Sequence, residues 1–333
     1  MYNKAHKFAC QAHSIWSFHW SRAGCTHAHE PSSVRPAHRE IAIPVPFGHL
    51  AAKDWPAVTR EDPERHLLCL HGTQDNAGSF DPLIQQLPGS WRTVVLEFAG
   101  HGLSSHLPRG CMYSMAQCTL DVIRTVGALG WDRFCLLGHS LGGLVGHRYA
   151  CMFPDKVQKL VLVEGFGDIF DGQSQVLNAM KATMLSFLRI EGKDLGSQPS
   201  YSEEQVLDLY ARGPTRHLRP DDVRILMKRG CRQQPDGRYT FTRDVHVKAM
   251  LWDRIDRSAL VPSYKSFCND LLVLNAAPGF GCSSVHQGRL ASVLRGHCRS
   301  FQLEVLDGDH HIHMSQPHLV ASYVNPFLEG ATS

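Results

Sequence analysis

No stretch of the 333 residues approaches the roughly 18 consecutive apolar residues that a membrane-crossing helix needs, so no integral membrane span is expected. Long runs of one charge are missing too: 34 Lys and Arg stand against 31 Asp and Glu, a formal net charge of +3. Without a basic tract to follow a phosphate backbone, nucleic acid is not an expected partner. The eleven cysteines are odd in number, scattered, and nowhere spaced C-x-x-C. Neither a disulfide framework nor a zinc ribbon follows, and a reducing compartment is expected. Internal repeats and low-complexity tracts are absent. The N-terminal MYNKAHKFACQAHSIWSFHWSRAG lacks the unbroken apolar core of a secretory signal, Lys4, Lys7 and Arg22 are few for a transit sequence, and the terminal Ala-Thr-Ser is no peroxisomal address. The expectation is a soluble, cytoplasmic protein.

What is present is an ordinary globular chain, 43% hydrophobic, long enough for one large core or two smaller units. Residues 1–38 are rich in His and Ser without a sustained period, and are expected to form a poorly ordered extension. From Ile41 onward short β-branched runs alternate with longer amphipathic segments: IAIPV (41–45), LLCLH (67–71), RTVVLEF (92–98), FCLLG (134–138), KLVLVEG (159–165), LLVLN (271–275) and FQLEV (301–305). From the second onward, each is almost wholly apolar and followed by a turn. That pattern predicts strands buried on both faces in a mostly parallel sheet flanked by helices, an α/β architecture.

About a hundred residues separate KLVLVEG from LLVLN, more than one crossover helix requires. The gap predicts an inserted helical cap over 167–262, leaving 39–166 and 263–330 as the main domain. Within it, SQVLNAMKATMLSFLRI (174–190) puts Val176, Leu177, Met180, Met184, Phe187 and Leu188 on one helical face, read as packing against the main domain rather than as a substrate-lining surface.

The most informative segment is FCLLGHSLGGLVG (134–146): a buried strand, then Gly138-His139-Ser140-Leu141-Gly142, then a helix start. A serine on so sharp a turn is held in strained backbone geometry, and side chains two positions away on either side would collide. Glycine is therefore needed at Gly138 and Gly142. The same turn aims the Leu141 N–H and the helix N-terminus at the serine's reaction partner. Upstream, LLCLHGTQDNAGSFDPLIQQLP (67–88) is a strand, His71-Gly72, a polar loop, and a helix beginning near Ser79. In a hydrolase of this build the N–H following His-Gly is the second oxyanion donor, here that of Thr73. EFAGHGLSSH (97–106) reads as a tight glycine-rich turn at the edge of the site.

The combination LCLHG…DNAGSFD, EFAGHGLSS, GHSLGGLVG and the terminal GDHHIHMSQP resembles the α/β-hydrolase superfamily and, within it, the serine hydrolase-like proteins. The match spans about residues 41–330; residues 1–38 fall outside it. It implies an α/β-hydrolase fold with an inserted helical cap, a Ser-acid-His chain order, and a base on the loop after the last strand. The family pattern of a glycine-containing turn, a His, and a Pro seven residues on selects His310 with Pro317. His311 is expected to point elsewhere and His313 to lie on the approach to the helix, both structural. His311-Ile312-His313 has no further ligands beside it, and H-E-x-x-H is absent, so no metal and no organic cofactor are expected. The resemblance also associates relatives with perinuclear and peroxisomal vesicles.

The imidazole needs an orienting carboxylate. Most of the superfamily supplies it after the penultimate strand, yet LLVLNAAPGFGCSS (271–284) holds neither Asp nor Glu. The alternative is Glu164, at the end of LVLVEG, where a buried acid demands a partner. Serine hydrolase-like proteins carry an acid at this strand end; Asp168 and Asp171 are farther substitutes, and a purely structural Glu164 is the other reading. Two functions follow. One is a serine hydrolase acting on a small-molecule acyl ester or thioester, with carbon–carbon bond hydrolysis left open, through Ser140, His310 and Glu164, with oxyanion donors at Leu141 and Thr73 and supporting glycines Gly72, Gly138 and Gly142. The other is a catalytically silent binding protein on the same fold.

Overall fold

The computed structural model describes residues 37–58, 65–167, 176–193, 199–212, 215–252, 263–277 and 284–330. All but the last two residues of the expected N-terminal extension lie outside them. Eight strands form one sheet in the order β1-β2-β4-β3-β5-β6-β9-β10. They are β1 (Arg39–Val45), β2 (Gly48–Trp55), β3 (His66–Leu70), β4 (Arg92–Leu96), β5 (Phe134–His139), β6 (Val157–Val163), β9 (Asp270–Ala277) and β10 (Ser300–Asp307). β2 is antiparallel to both neighbours, and the pairs from β4 to β10 are parallel. Each run read as a strand forms one.

Alternation along the central strands sends side chains to two cores. Leu68, Leu70, Leu136, Leu160 and Leu162 join one cluster. It is closed by Val122 and Val126 of α2 (Met115–Leu129), Val145 and Tyr149 of α3 (Leu141–Met152), and Leu290 and Leu294 of a later helix (Ser284–Arg295). Leu67, Cys69, Cys135, Leu137, Val161 and Val163 join the other, with Leu83 and Ile84 of α1 (Asp81–Ile84) and Val320, Val324 and Phe327 of the last helix (Pro317–Glu329). Both faces are apolar, which is why these strands read as continuous hydrophobic runs.

Two departures have physical reasons. GHLAAKDW reads poorly as a strand because it contains Lys53 and Asp54, yet both are buried in β2 and paired. Lys53 Nζ lies 2.7 Å from the Asp81 carboxylate, and Asp54 accepts from Arg39 at 2.6 Å and Arg92 at 3.0 Å. FQLEV, expected to be buried on both faces, forms the edge strand β10, where Val305 is 61% exposed.

Between β6 and β9 lie α4 (Val176–Glu191), α5 (Glu203–Tyr210), α6 (Pro220–Gly230), a hairpin of β7 (Cys231–Gln233) and β8 (Tyr239–Phe241), and a 3-10 turn (Val245–Ala249). Val206, Tyr210, Leu218, Val223, Leu226 and Met227 form a third cluster, which reaches Met314 near the C-terminus. The expected packing stripe of α4 is mostly not packed: Phe187 is buried against the His246 ring, whereas Leu177, Met184 and Leu188 are exposed. Amphipathic spacing fixes a helix, not the presence of a neighbour for its face. Among the described residues no helix is long and apolar enough to cross a membrane.

Candidate active site

β5 ends at His139, and α3 begins at Leu141. The single residue between them, Ser140, takes φ 52° and ψ −118°, a strained conformation for a residue with a Cβ. It is held there by its neighbours. Ser140 N–H donates to the Val163 carbonyl at 3.0 Å, and its own carbonyl accepts from Gly143 and Leu144 at 3.0 and 3.1 Å. A Cβ on Gly138 would overlap the Gly142 carbonyl, and one on Gly142 would overlap the Leu70 carbonyl. Any side chain at either position would force the turn open. At Gly72 a Cβ would meet His139 Nδ1 at 2.9 Å and the Ser140 Cβ at 3.3 Å, so the loop after β3 crosses the serine only because that residue is glycine.

His310, on the loop after β10, places Nε2 3.0 Å from Ser140 Oγ and Nδ1 3.1 Å from Glu164 Oε2. A carboxylate accepts, so Nδ1 carries the ring proton, and Nε2 is free to accept from the serine hydroxyl. Glu164 immediately follows β6 at φ 51°, its side chain buried, its N–H donating to the Leu274 carbonyl at 2.9 Å and its Oε1 accepting from Ala276 N–H at 2.6 Å. The backbone of β9 thus fixes this acid from the strand on which the sequence offers none. Asp168 and Asp171 lie outside the described residues.

Leu141 is the first residue of α3, where a helix leaves its N–H without an intrahelical carbonyl. Thr73 follows Gly72 and, with Ser140, lines a cavity. Two buried histidines brace this region. His71 Nε2 accepts from Phe98 N–H at 3.2 Å, so its Nδ1–H donates to the Gly72 carbonyl at 2.8 Å. His101 Nε2 accepts from Gln74 N–H at 3.2 Å while Nδ1 donates to the Ala99 carbonyl at 3.1 Å. Burial holds them at about 4 and about 3, below the ordinary imidazole value. Both stay neutral. EFAGHGLSSH is a turn, with Gly100 and Gly102 at φ 75° and 53°.

A cavity of about 500 Å³ opens above Ser140. Its far wall comes from the segment between β6 and β9, including Leu209, Tyr210, Arg212, Arg243, Lys248 and Trp252. Sequence reasoning missed all six, because nothing local in a variable insertion marks which residues will face a site.

His311 corrects an expectation. It turns its ring 89° from that of His310, but it does not leave the site: it lines the same cavity, with Nε2 3.8 Å from Asp75 Oδ2. The residue sits just ahead of the short helix Ile312–Ser315 as its N-cap. His313, in that helix, is fully buried against His139, with ring centroids 4.1 Å apart. Neither contact is readable from the H-x-H spacing, since Asp75 and His139 arrive from distant segments.

The model for the alpha/beta hydrolase fold matches residues 65–245. "Serine hydrolase-like protein" of Mus musculus is 32% identical over 305 residues, covering 88% of this chain and 96% of its own length. The protein of the same name from Danio rerio is 31% identical, covering 90% of each. Among solved structures, a hypothetical protein from Pseudomonas aeruginosa PAO1 superposes with a TM-score of 0.71 at 26% identity, over 87% of this chain and 98% of that one. The turn at Ser140, the sheet order and these likenesses agree: the chain belongs to the α/β-hydrolase fold family and, within it, to the serine hydrolase-like proteins.

Proposed function

We propose that the protein is a serine hydrolase that cleaves a carboxylic ester or thioester. Ser140 is the nucleophile, His310 the base and acid, Glu164 the carboxylate that orients His310, and the N–H groups of Leu141 and Thr73 the oxyanion donors. The observation that carries this reading is the unbroken chain of contacts from Glu164 Oε2 to His310 Nδ1 at 3.1 Å and from His310 Nε2 to Ser140 Oγ at 3.0 Å. It supplies the acid whose absence after β9 favoured a silent binding protein.

In this reading Ser140 Oγ bonds to the acyl carbon as its proton passes to His310 Nε2. The negative charge that develops on the carbonyl oxygen is met by the N–H groups of Leu141 and Thr73. Collapse breaks the bond to the alcohol or thiol, which leaves with the proton from His310. Water then repeats the sequence on the acyl-enzyme and releases the acid. Residues 167–262 act as a cap over the main domain of 39–166 and 263–330, with Tyr210, Arg243 and Trp252 forming the roof of the acyl cavity. The scattered cysteines, without a disulfide framework in their spacing, support a cytoplasmic location.

The wall also suggests a charge for the substrate. Arg212, Arg243 and Lys248 line the cavity, while its only carboxylate among the described residues, Asp75, is pushed up to about 7 by burial. Three cations without a fixed anion favour an acyl group bearing a carboxylate or phosphate. The test is turnover of ester and thioester panels matched in length, with neutral or carboxylate-terminated acyl groups. Expected are activity lost in Ser140→Ala, a fall in kcat of about a thousandfold or more in Glu164→Gln with KM little changed, and a preference for the anionic acyl group that shrinks at least tenfold in Arg243→Ala. Full activity in Glu164→Gln would remove Glu164 from the relay. Equal turnover of both acyl classes would remove the charge argument. An intact protein that hydrolyses no ester would favour the binding-protein reading.

A further inference from the structure

Three buried side chains outside the proposed relay meet behind the nucleophile. Asp75 comes from the loop after β3, His139 from the residue before Ser140, and His313 from the short helix after His310. One nitrogen or oxygen from each lies within 4.8 Å of the others. Asp75 Oδ1 and Oδ2, His139 Nδ1, and His313 Nδ1 and Nε2 are all shut off from solvent and without a hydrogen-bond partner. The Asn76 N–H and Ser79 hydroxyl act on the Asp75 carboxylate without reaching hydrogen-bonding geometry. Each buried polar group left unpaired costs about 1–3 kcal/mol, so five in one place call for a common partner.

The tautomer of His139 says what kind. Its Nε2 lies 2.7 Å from the His310 carbonyl; a carbonyl only accepts, so Nε2 carries the proton and Nδ1 presents a lone pair. That lone pair faces Asp75 Oδ2, another acceptor, at 3.9 Å. The His313 ring lies beside it, with centroids 4.1 Å apart. A proton on Asp75 would pair at most two of the five atoms, its own oxygen and His139 Nδ1, and a water molecule can donate to only two. A divalent cation takes one atom from each of the three residues at once.

We infer that Asp75, His139 and His313 form a binding site for a divalent transition metal of the zinc class. Two neutral imidazoles and a carboxylate are a common zinc donor set. A ligating imidazole that donates its other N–H to a backbone carbonyl, as His139 does, is the usual outer-shell support. Metal–ligand bonds of about 2.1 Å set tetrahedral donors about 3.4 Å apart, so the 3.9 Å separation of His139 Nδ1 and Asp75 Oδ2 and the remaining separations, all within 4.8 Å, close as the ion binds. Entry is available, since Asp75, His139 and His311 all line the cavity above Ser140. Bound there, the ion ties the β3 loop, the serine turn and the His310 loop together.

The experiment uses the full chain, freed of metal by a chelator, and reads binding rather than turnover. Expected are one equivalent of Zn²⁺ retained through desalting, and a strong visible absorption band on adding Co²⁺, the mark of tetrahedral coordination. Asp75→Asn and His313→Gln each weaken both at least tenfold, whereas the exposed His318→Gln changes neither. Zn²⁺ held equally by wild type and Asp75→Asn would place it on other histidines and overturn the site. So would a Co²⁺ spectrum on wild type without the band, a result that needs no variant to fold. Neither readout depends on whether Ser140 is a nucleophile.

Discussion

At the scale of single residues, the 21 histidines that made the composition ambiguous divide by environment. His147 stacks on Tyr264 with ring centroids 4.3 Å apart, and burial lowers it to about 4, as it does His71. A histidine whose folded value lies below its unfolded value of about 6.5 contributes its full stability above 6.5 and loses it as the pH falls toward 4. For His147 the loss is about 2 kcal/mol by pH 5. Urea unfolding at pH 7.5 and pH 5 is expected to show more than that drop, since His71 and His101 add to it, and His147→Phe to reduce it by about 2 kcal/mol while changing stability little at pH 7.5. An unchanged slope in His147→Phe would show that its burial does not govern acid sensitivity. Ser140 and His310 were readable because the turn chemistry around each is local. Glu164 was readable because an acid ending an apolar strand must be paired. Asp75 and His139 carried no such mark, since what joins them to His313 is tertiary.

At the scale of elements, the segment between β6 and β9 is joined to the sheet by a buried charge network. Arg229 of α6 donates to Glu97 Oε1 and Oε2 at 2.7 and 3.0 Å and to Glu40 at 2.6 Å. Glu97 also accepts from Ala77 and Leu103 N–H at 3.0 and 2.7 Å. Removing one partner of such a pair leaves a buried charge uncompensated, which costs about 3–5 kcal/mol. Arg229→Met is therefore expected to lower the unfolding free energy by about that amount in urea titration, and the double variant with Glu97→Gln to regain part of it. A loss under about 1 kcal/mol would show that the network does not anchor α6. The same physics explains which elements the sequence concealed. β2 was hidden because its lysine and aspartate are neutralised by residues from other elements. The face of α4 was misread because a hydrophobic stripe does not specify a neighbour.

At the scale of the whole molecule, the sheet order reverses around β3, with β4 on one side and β5 on the other. Loops leaving the C-terminal edge at such a point diverge and open a crevice. The Gly72–Thr73 loop and Ser140 flank it, and Glu164 and His310 arrive from β6 and β10 at the same edge. The α/β class was legible because strands buried on both faces write unbroken apolar runs. The strand order and the composition of the cavity wall were not, because both depend on pairings between distant segments. The central claim is that Ser140 is a nucleophile activated through His310 and Glu164, and it is tested most directly by labelling the purified chain with a fluorophosphonate, locating the adduct by peptide mass spectrometry. The account predicts one adduct, on Ser140, absent in Ser140→Ala and formed far more slowly in His310→Ala and Glu164→Gln. A folded protein that takes no label, or one labelled at Ser140 as fast without His310 as with it, would contradict it.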